Sequence, residues 1–465
     1  MKRINTIDFT RGLVMIIMAL DHTRDFMHIS SLTQNPTDLT TTTPILFFTR
    51  WITHLCAPTF VFLSGTSAFL LVKKEGNYTK SKNFLLSRGI WLLVLEFTAV
   101  NFALWFDLQF RILIFEVIGA IGFGFIVLAL LLKASSKVVG IIGLAIIFGH
   151  DLLQYFSLSD SSPLKIIISS LFSFNVFPVT PQFTFVIGYP PIPWLGVMLA
   201  GFAAGPLFEW DERRRKIIFL EIGLTALALF TTIRLFNFYG DPSKWSVQKN
   251  NLFTFLSFIN VTKYPLSLLF CLITLGIMFL ILSFVEGIKN KFTDIVTVYG
   301  KVPLFYFLIH LYILHFLMVV MVFLQGFSWS ELVFGAFNFG RPKNGSGAEL
   351  WVIYLLWISI VIALYPLCKW YGLYKANHKE KNGLDIYKKI KYITQLKKFD
   401  NMKADITNRK ELNIVLNKLT DKTEAKWGLM KPQNMIKHLA RTLQIYEWHK
   451  NIPHFPTRPL LYFSS

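Results

Sequence analysis

Ionisable side chains cluster at the end of the first apolar segment, where a membrane helix normally carries none. The run "FTRGLVMII" leads into "MALDHTRDFMH", and within five residues it brings together Asp21, His22, Arg24 and Asp25. A charge at such a depth costs about 3 kcal/mol or more unless it is paired or faces water. A carboxylate beside an imidazole fixes its tautomer and raises its basicity, as a general base requires. The spacing therefore predicts proton-transfer chemistry at His22, assisted by Asp21 and Asp25.

The charges continue as a stripe along one face of the predicted first helix. Steps of three and four residues connect Asp8, Arg11, Met15, Met18, His22 and Asp25. Arg11 and His22 nearly eclipse each other, roughly 16 Å apart at a rise of about 1.5 Å per residue. This pattern predicts a polar cavity within a helix bundle. Two alternatives stay open: the wetted end of a short span, or a structural cluster of mutually satisfied charges.

The second apolar segment, "FFTRWITHLCAPTF", carries Arg50 and His54 four residues apart, on one helix face. They fall near the level of His22, where two cations suit an anionic or hydroxyl-rich substrate. Arg24 is a further candidate for holding this substrate. A hydrogen bond to a nearby backbone carbonyl explains His54 equally well. Pro58 predicts a kinked helix, because proline lacks the amide hydrogen that a helix interior uses.

Two glutamates, Glu96 and Glu116, lie within the predicted third and fourth spans. Intramembrane acids are functional by default, but ion pairs with Arg88 or Arg111 explain them equally well.

Later segments add imidazole and aromatic groups. "YFLIHLYILH" places His310 nearer the cytoplasmic side, as a substrate-binding or packing residue, with His315 on a different face. In "VIGYPPIPWLGVMLAGFAAG", Trp194 and Tyr189 form either an interfacial aromatic pair or a surface on which a sugar stacks. The Gly201-to-Gly205 spacing in the same segment is typical of close helix packing.

The composition is that of an integral membrane protein. Of 465 residues, 53% are hydrophobic, 46 are phenylalanine, and the mean hydropathy is +0.49. The net charge of +20 does not indicate nucleic-acid binding, because basic residues cluster between apolar runs and in the tail. The cysteines lack metal or disulfide spacing, so we expect buried thiols and no metal site.

Apolar runs of about 20 residues, enough to cross a bilayer, occur about ten times. We place them at 7–27, 46–72, 84–106, 111–132, 138–157, 191–208, 216–236, 264–285, 302–324 and 350–370. The first run lacks a small-residue cleavage site, so we expect it to stay as a span. The segment "PLKIIISSLFSFNVF" between the fifth and sixth runs suits a re-entrant or additional half-span.

Lysine and arginine concentrate at the start of the chain and in every second loop, as in "ERRRK". The positive-inside rule then places both termini in the cytoplasm. The expected fold class is all-α: a polytopic membrane helical bundle of about ten spans with a small helical cytoplasmic C-terminal segment. We divide the chain into a membrane domain (1–376), a basic amphipathic linker (377–406) and a helical segment (407–465).

Five stretches together resemble one family: "RINTIDFTRGLVMIIMALDHTRDF", "WITHLCAPTFVFLSGTSAFLL", "GYPPIPWLGVMLAGFAAG", "YGKVPLFYFLIHLYILH" and "YPLCKWYGLYK". The family is the heparan-alpha-glucosaminide N-acetyltransferase catalytic-domain family, within the wider group of transmembrane acyltransferases. The resemblance covers roughly residues 1–376. The "D-F-x-R-G" motif followed by a polar helix end is its most specific part.

The resemblance implies a bacterial inner-membrane enzyme that takes an acetyl or other acyl group from acyl-CoA in the cytosol. The acceptor would be an amino sugar or cell-envelope glycan on the far side. The expected catalytic histidine matches His22 by position, with His28 and His54 as alternatives. Asp8 and Arg11 would lie on the path of the CoA phosphates. A homodimer is also expected.

The C-terminal segment, with "WGLMKPQNMIKHL", resembles the start of a DinB-like helical bundle. His438 matches the first metal-ligand position of that group, but the chain ends at Ser465, too short for a four-helix domain with its later histidines, which argues against a metal site.

Two other hypotheses stay open. A transporter or proton-coupled permease also uses intramembrane aspartate, histidine and glutamate, although no inverted repeat is evident. A sensory membrane protein would depend on its cytoplasmic tail. Consumption of acyl-CoA separates the enzyme from both.

Overall fold

The computed structural model describes residues 4–155, 163–334, 338–342 and 345–378. The chain divides into two units, Met1–Asn377 and His378–Ser465. The predictions for the DinB-like segment and His438, and for nearly all of the linker, lie outside the described residues. The helices and strands with described bounds all lie in the first unit.

The fold class is confirmed: the described part of the chain is helical, with three short strands. The helices are α1 (Asn5–Met27), α2 (Pro44–Thr53), α3 (Cys56–Glu75), α4 (Tyr78–Leu95), α5 (Asn101–Trp105), α6 (Val117–Leu131), α7 (Ser136–Gly149), α8 (Pro163–Phe172), α9 (Pro191–Ala203), α10 (Glu212–Phe236), α11 (Asn251–Ile259), α12 (Leu268–Val285), α13 (Lys291–Lys301), α14 (Pro303–Leu324) and α15 (Leu350–Asn377). The strands are β1 (Ile112–Phe115), β2 (Asn175–Thr180) and β3 (Phe183–Ile187).

Eight helical segments of the described residues are long and apolar enough to cross a membrane. They include α2 joined to α3, and α4 joined to α5. Each of the ten predicted spans contains an observed helix. Eight of these spans correspond to the segments just described, and the other two, which contain α1 and α6, do not. α1 carries five charged residues, and α6 is 15 residues long because the predicted fourth span begins as strand β1.

A three-stranded sheet in the order β1-β3-β2 was not predicted. β1 pairs with β3 in parallel, and β2 pairs with β3 as a hairpin. The segment that we interpreted as a re-entrant or half-span, residues 163–177, contains α8 and the start of β2. These strands are short and lie among apolar helices, and their residues show no clear alternation of polar and apolar side chains. The sequence pattern therefore did not indicate strands.

The predicted kink at Pro58 is confirmed as a break between α2 and α3. Pro58 cannot donate to the carbonyl of His54, four residues earlier, and the helix is interrupted at His54 and Leu55. The break places His54 at the C-terminal end of α2 instead of inside a continuous helix.

Glu96 stabilises a helix start within the bundle. A π-helical turn, Glu96–Val100, places the fully buried Glu96 carboxylate at the start of α6. It accepts hydrogen bonds from the amides of Glu116 (2.6 Å) and Gly119 (3.1 Å). Such amides have no partner inside their own helix. The alternative ion pair with Arg111 is wrong, since Arg111 pairs with Asp107 at 2.8 Å.

α1 lies at the centre of the first unit, where it packs against α2, α3, α12, α13, α14 and α15. Its closest partner is α13, because Gly12 and Gly300 let the two backbones touch. A side chain at Gly300 would meet the carbonyl of Asp8. Gly201 similarly lies against the backbone of Phe62, which confirms the predicted helix packing.

We expect Gly300→Ala to lower the free energy of unfolding by about 1–3 kcal/mol, because the added methyl group forces α13 away from α1. Thermal unfolding in a single detergent measures this loss. Gly149→Ala is the matched control: Gly149 also ends a helix, but open space surrounds its Cβ position. Equal melting temperatures for the two variants would contradict the close contact.

Candidate functional site

The carboxylates at the C-terminal end of α1 bind arginines. Nη2 of Arg24 lies 2.8 Å from Oδ1 of Asp21 and 2.7 Å from Oδ1 of Asp25. Arg50 of α2 donates to the other oxygen of Asp21. Asp21 and Arg24 are both buried. The hydrogen bonds of Asp21 and Asp25 therefore go to guanidinium groups and not, as the sequence suggested, to His22.

The hydrogen-bond partner of His22 is another imidazole. Nδ1 of His22 lies 2.7 Å from Nε2 of His310 on α14, and the rings stack with centroids 5.0 Å apart. Nδ1 of the fully buried His310 lies 2.8 Å from the carbonyl oxygen of Tyr306. A carbonyl only accepts, so His310 carries its proton on Nδ1 and accepts at Nε2. In the neutral pair, His22 then donates through Nδ1 and keeps a lone pair on Nε2.

The depth that we predicted for His310 is wrong. α13 runs along α1 before α14 begins, so His310 reaches the level of His22 instead of lying near the start of α1. His315 faces elsewhere, as predicted. Its Nδ1 donates to the carbonyl of Ala103 at 2.9 Å, and its ring stacks on Phe106.

A cavity of about 370 Å³ lies beside this network, at the C-terminal end of α1. Arg50 and His54 both line it. The remaining lining residues are Asn35, Thr37, Ser243, Asn260, Val261, Thr262, Lys263 and Tyr264. None of these eight was predicted from the sequence; for Lys263 and Tyr264 the available signal was a single lysine directly before an apolar run, in "NVTKYPLSLLF".

Arg234, at the end of α10, organises the loops around the cavity. It is 1% exposed and donates to four backbone carbonyls, those of Ser243, Ser257, Phe258 and Asn260, at 2.6–3.1 Å. Nearby, Asp241 accepts four hydrogen bonds, from the amides of Ser243 and Thr262 and the hydroxyls of Thr262 and Ser267. These contacts fix three lining residues, Ser243, Asn260 and Thr262. The sequence does not show that loop carbonyls converge on Arg234.

A second buried arginine, Arg341, fixes the end of α1. It is fully buried and donates to the carbonyls of Phe26 (2.9 Å) and His28 (3.1 Å). His28 also forms an isolated β-bridge with Ala348. This alternative to His22 is thus held by the backbone, and its Nδ1 lies 3.0 Å from Oγ of Ser30; like His22, it is not among the cavity-lining residues.

A second cavity, of about 460 Å³, lies at the N-terminal end of α1. Its charged lining residues have both signs: Glu209, Glu212, Glu286 and Asp294, and Arg215, Lys289 and Lys301. Asp8 is buried beside it, and Arg11 donates to the carbonyl of Leu63 at 2.7 Å and to Ser67. Neither Asp8 nor Arg11 lines this cavity, and their contact with CoA stays a prediction.

Trp194 is fully buried, with its ring 4.6 Å from that of Tyr189. It lines neither of the two cavities described here, so its predicted sugar-stacking role stays a prediction for which this arrangement offers no surface.

Residues 3–245, just over half of the chain, match the family described as heparan-alpha-glucosaminide N-acetyltransferase, catalytic. The chain belongs to this family. No curated protein matches the chain. Family membership identifies a membrane acetyltransferase-type protein, in agreement with the resemblance carried by its first span.

The part that matches the N-acetyltransferase family contains His22, Arg50 and His54, whereas Lys263 and His310 lie beyond residue 245. The hydrogen bond between His22 and His310 therefore joins the matched part to the rest of the unit. The three cysteines are buried and free, as predicted. Within the described ranges no cluster of three or more metal-ligating side chains occurs; the absence of a metal and the homodimer both stay predictions.

We expect Arg234→Met to lower the free energy of unfolding by at least about 2 kcal/mol, because four buried carbonyls lose a charged donor. Hydrogen exchange should also speed up in residues 243–260. The matched control is Arg213→Met, at an exposed arginine on the same helix. If both variants melt and exchange alike, Arg234 does not hold the loops.

Proposed function

We propose that this protein transfers an acetyl group from acetyl-CoA to an amine or hydroxyl of an amino sugar or glycan. The reaction would take place at the C-terminal end of α1. Family membership supports the acetyl transfer. The observation that carries the site is the chain from Tyr306 through His310 to His22, which leaves Nε2 of His22 able to accept a proton.

In this proposal, His22 acts as a general base. The acceptor's nitrogen or oxygen attacks the thioester carbonyl, and Nε2 of His22 takes the proton that it loses. The carbon–sulfur bond then breaks, and the proton passes from His22 to the CoA thiolate. His310 acts as a positioning residue, because it holds Nδ1 of His22 and accepts more strongly from the imidazolium that forms. The same lone pair also suits an acyl-histidine intermediate, so the two routes stay open.

The arginines would supply electrostatic stabilisation. Arg50 lines the cavity, and Asp21 holds its guanidinium in place. It is therefore placed to stabilise the negative charge that develops on the carbonyl oxygen. Arg24 is 2% exposed, so we assign it to organising Asp21 and Asp25, although the sequence suggested substrate contact. His54 lines the cavity and would contact the acceptor.

The two cavities at opposite ends of α1 fit reactants that arrive from opposite sides of the membrane. We propose that both termini are cytoplasmic, in a bacterial inner membrane, and that acetyl-CoA enters at the N-terminal end of α1. The acceptor then binds on the extracytoplasmic side. A transporter has no corresponding support, since the family is one of acetyltransferases.

We expect His22→Ala to reduce acetyl transfer by about 10²- to 10⁴-fold, the usual contribution of a general base. The assay uses purified protein in detergent with radiolabelled acetyl-CoA and a panel of amino sugars and glycans. His28→Ala is the comparison, since the His28 side chain is hydrogen-bonded to Ser30 and takes no part in the pair of His22 and His310, and it should retain transfer. If the wild-type protein neither binds nor consumes acetyl-CoA, the polar network must be interpreted as a transport pathway.

The positioning role of His310 can be tested by replacing the hydrogen-bond acceptor that its side chain provides to Nδ1 of His22. In His310→Leu this acceptor is lost, and we expect kcat to fall by about 10-fold or more with KM nearly unchanged. In His310→Gln the amide oxygen can still accept from Nδ1, so part of kcat should return. Equal losses in the two variants, or a change confined to KM, would exclude the positioning role.

A further inference from the structure

The cavity at the C-terminal end of α1 is lined by cationic and neutral polar groups. Its ionisable nitrogen groups are Arg50, His54 and Lys263, and no aspartate or glutamate is found among the described residues that line it. This distinguishes it from the cavity at the other end of α1, where both signs of charge are present. A volume of about 370 Å³ falls in the range of small-molecule sites.

Lys263 is the most informative of these residues. It is 9% exposed, and its ammonium lies 5.5 Å from the ring centroid of Tyr189 and 4.9 Å from that of Tyr264. The ion pairs and hydrogen bonds among the described residues do not include its side chain. Its Nζ is not among the fully enclosed polar atoms, so the three donors of the ammonium group face the cavity. A ligand with acceptor oxygens would satisfy them.

The nearby carboxylates are engaged elsewhere. Asp21 and Asp25 bind Arg24 and Arg50, which balances the charges of those four groups. Glu116 is within electrostatic reach of Lys263, but it forms no ion pair with it and lies outside the cavity lining.

The aromatic and imidazole groups add no negative charge. Burial, and then the adjacent Tyr264, hold the pKa of Tyr189 well above its ordinary value, so its phenol stays neutral. Nδ1 of His54 is buried without a hydrogen-bond partner. Two separate side chains at this cavity therefore have unused hydrogen-bonding capacity.

We propose that this cavity binds an oxyanion, a carboxylate or a phosphate, carried by the acceptor, with Lys263 as the residue that selects for it. The identification of the ligand as the acceptor rests on the proposed function. Lys263 lies within electrostatic reach of His22. Arg50 both lines the cavity and donates to Asp21, the neighbour of His22, so a sugar whose oxyanion is held by Lys263 would lie beside the network that contains His22. The acceptor class is then an acidic sugar or a sugar phosphate instead of a neutral glycan.

Calorimetric titration of the full-length protein in detergent tests this, with glucuronate, glucose 6-phosphate and neutral glucose as probes at constant ionic strength. We expect one or both anions to bind at least tenfold more tightly than glucose, and their comparison separates carboxylate from phosphate. Lys263→Met should remove that difference, and Lys263→Arg should keep most of it. Lys249→Met is the matched control, since Lys249 also lies over an aromatic ring but is exposed and outside the cavity lining.

Equal binding of all three sugars, or anion binding that survives Lys263→Met, would overturn the inference. Titrations with CoA, first alone and then in the presence of the sugar anion, complete the experiment. If CoA displaces the sugar anion and its own binding also needs Lys263, the oxyanion belongs to the donor, and the acceptor assignment is wrong. The His22→Ala variant should bind the anion like the wild type. Binding that depends on Lys263 without any acetyl transfer would remove the proposed function and leave the anion site in place.

Discussion

The neutralisation of charge in α1 is the constraint on which the rest of the first unit depends. α1 carries five charged residues, and a helix with such charges is not stable against lipid alone. The bundle supplies Arg50 for Asp21, while Arg24 bridges Asp21 and Asp25 within the helix itself. These pairs require α2 and α1 to meet at one level. The break before Pro58, which ends α2 at that level, therefore belongs to the same arrangement.

The pairing of the carboxylates with arginines leaves His22 to be oriented by a different group. α14 meets that need because α13 lies along α1 first and sets the depth at which α14 begins. The glycine contact between α1 and α13 therefore helps to set the depth of His310 on α14, and with it the hydrogen bond between His310 and His22. A neutral acceptor such as His310 orients the ring without adding another charge to a site that already balances its ion pairs.

Buried arginines act here as organisers of irregular backbone. Arg234 and Arg341 each bind several carbonyls, one in the loops around the cavity and one at the end of α1. Loop carbonyls in a protein interior need donors, and a planar guanidinium supplies up to five in fixed directions. The shape of the cavity then depends on Arg234, which lies outside its lining, and its cationic character depends on Lys263, which the loops place there.

The sequence by itself determined the helical membrane architecture, the break at Pro58, the polar end of α1 and the family, because these follow from local hydropathy, proline chemistry and adjacent residues. It also placed Arg50 and His54 at one level with His22. Only the tertiary structure decided the partners: His310 for His22, amides for Glu96, and carbonyls for Arg234. Such pairs join residues that are distant in the chain. Helical periodicity predicts which face of a helix a residue lies on, but it predicts neither the depth of that residue in the bundle nor the side chain or backbone group that it contacts. The strands and Lys263 were missed for the same reason, since loop packing alone brings them to the site.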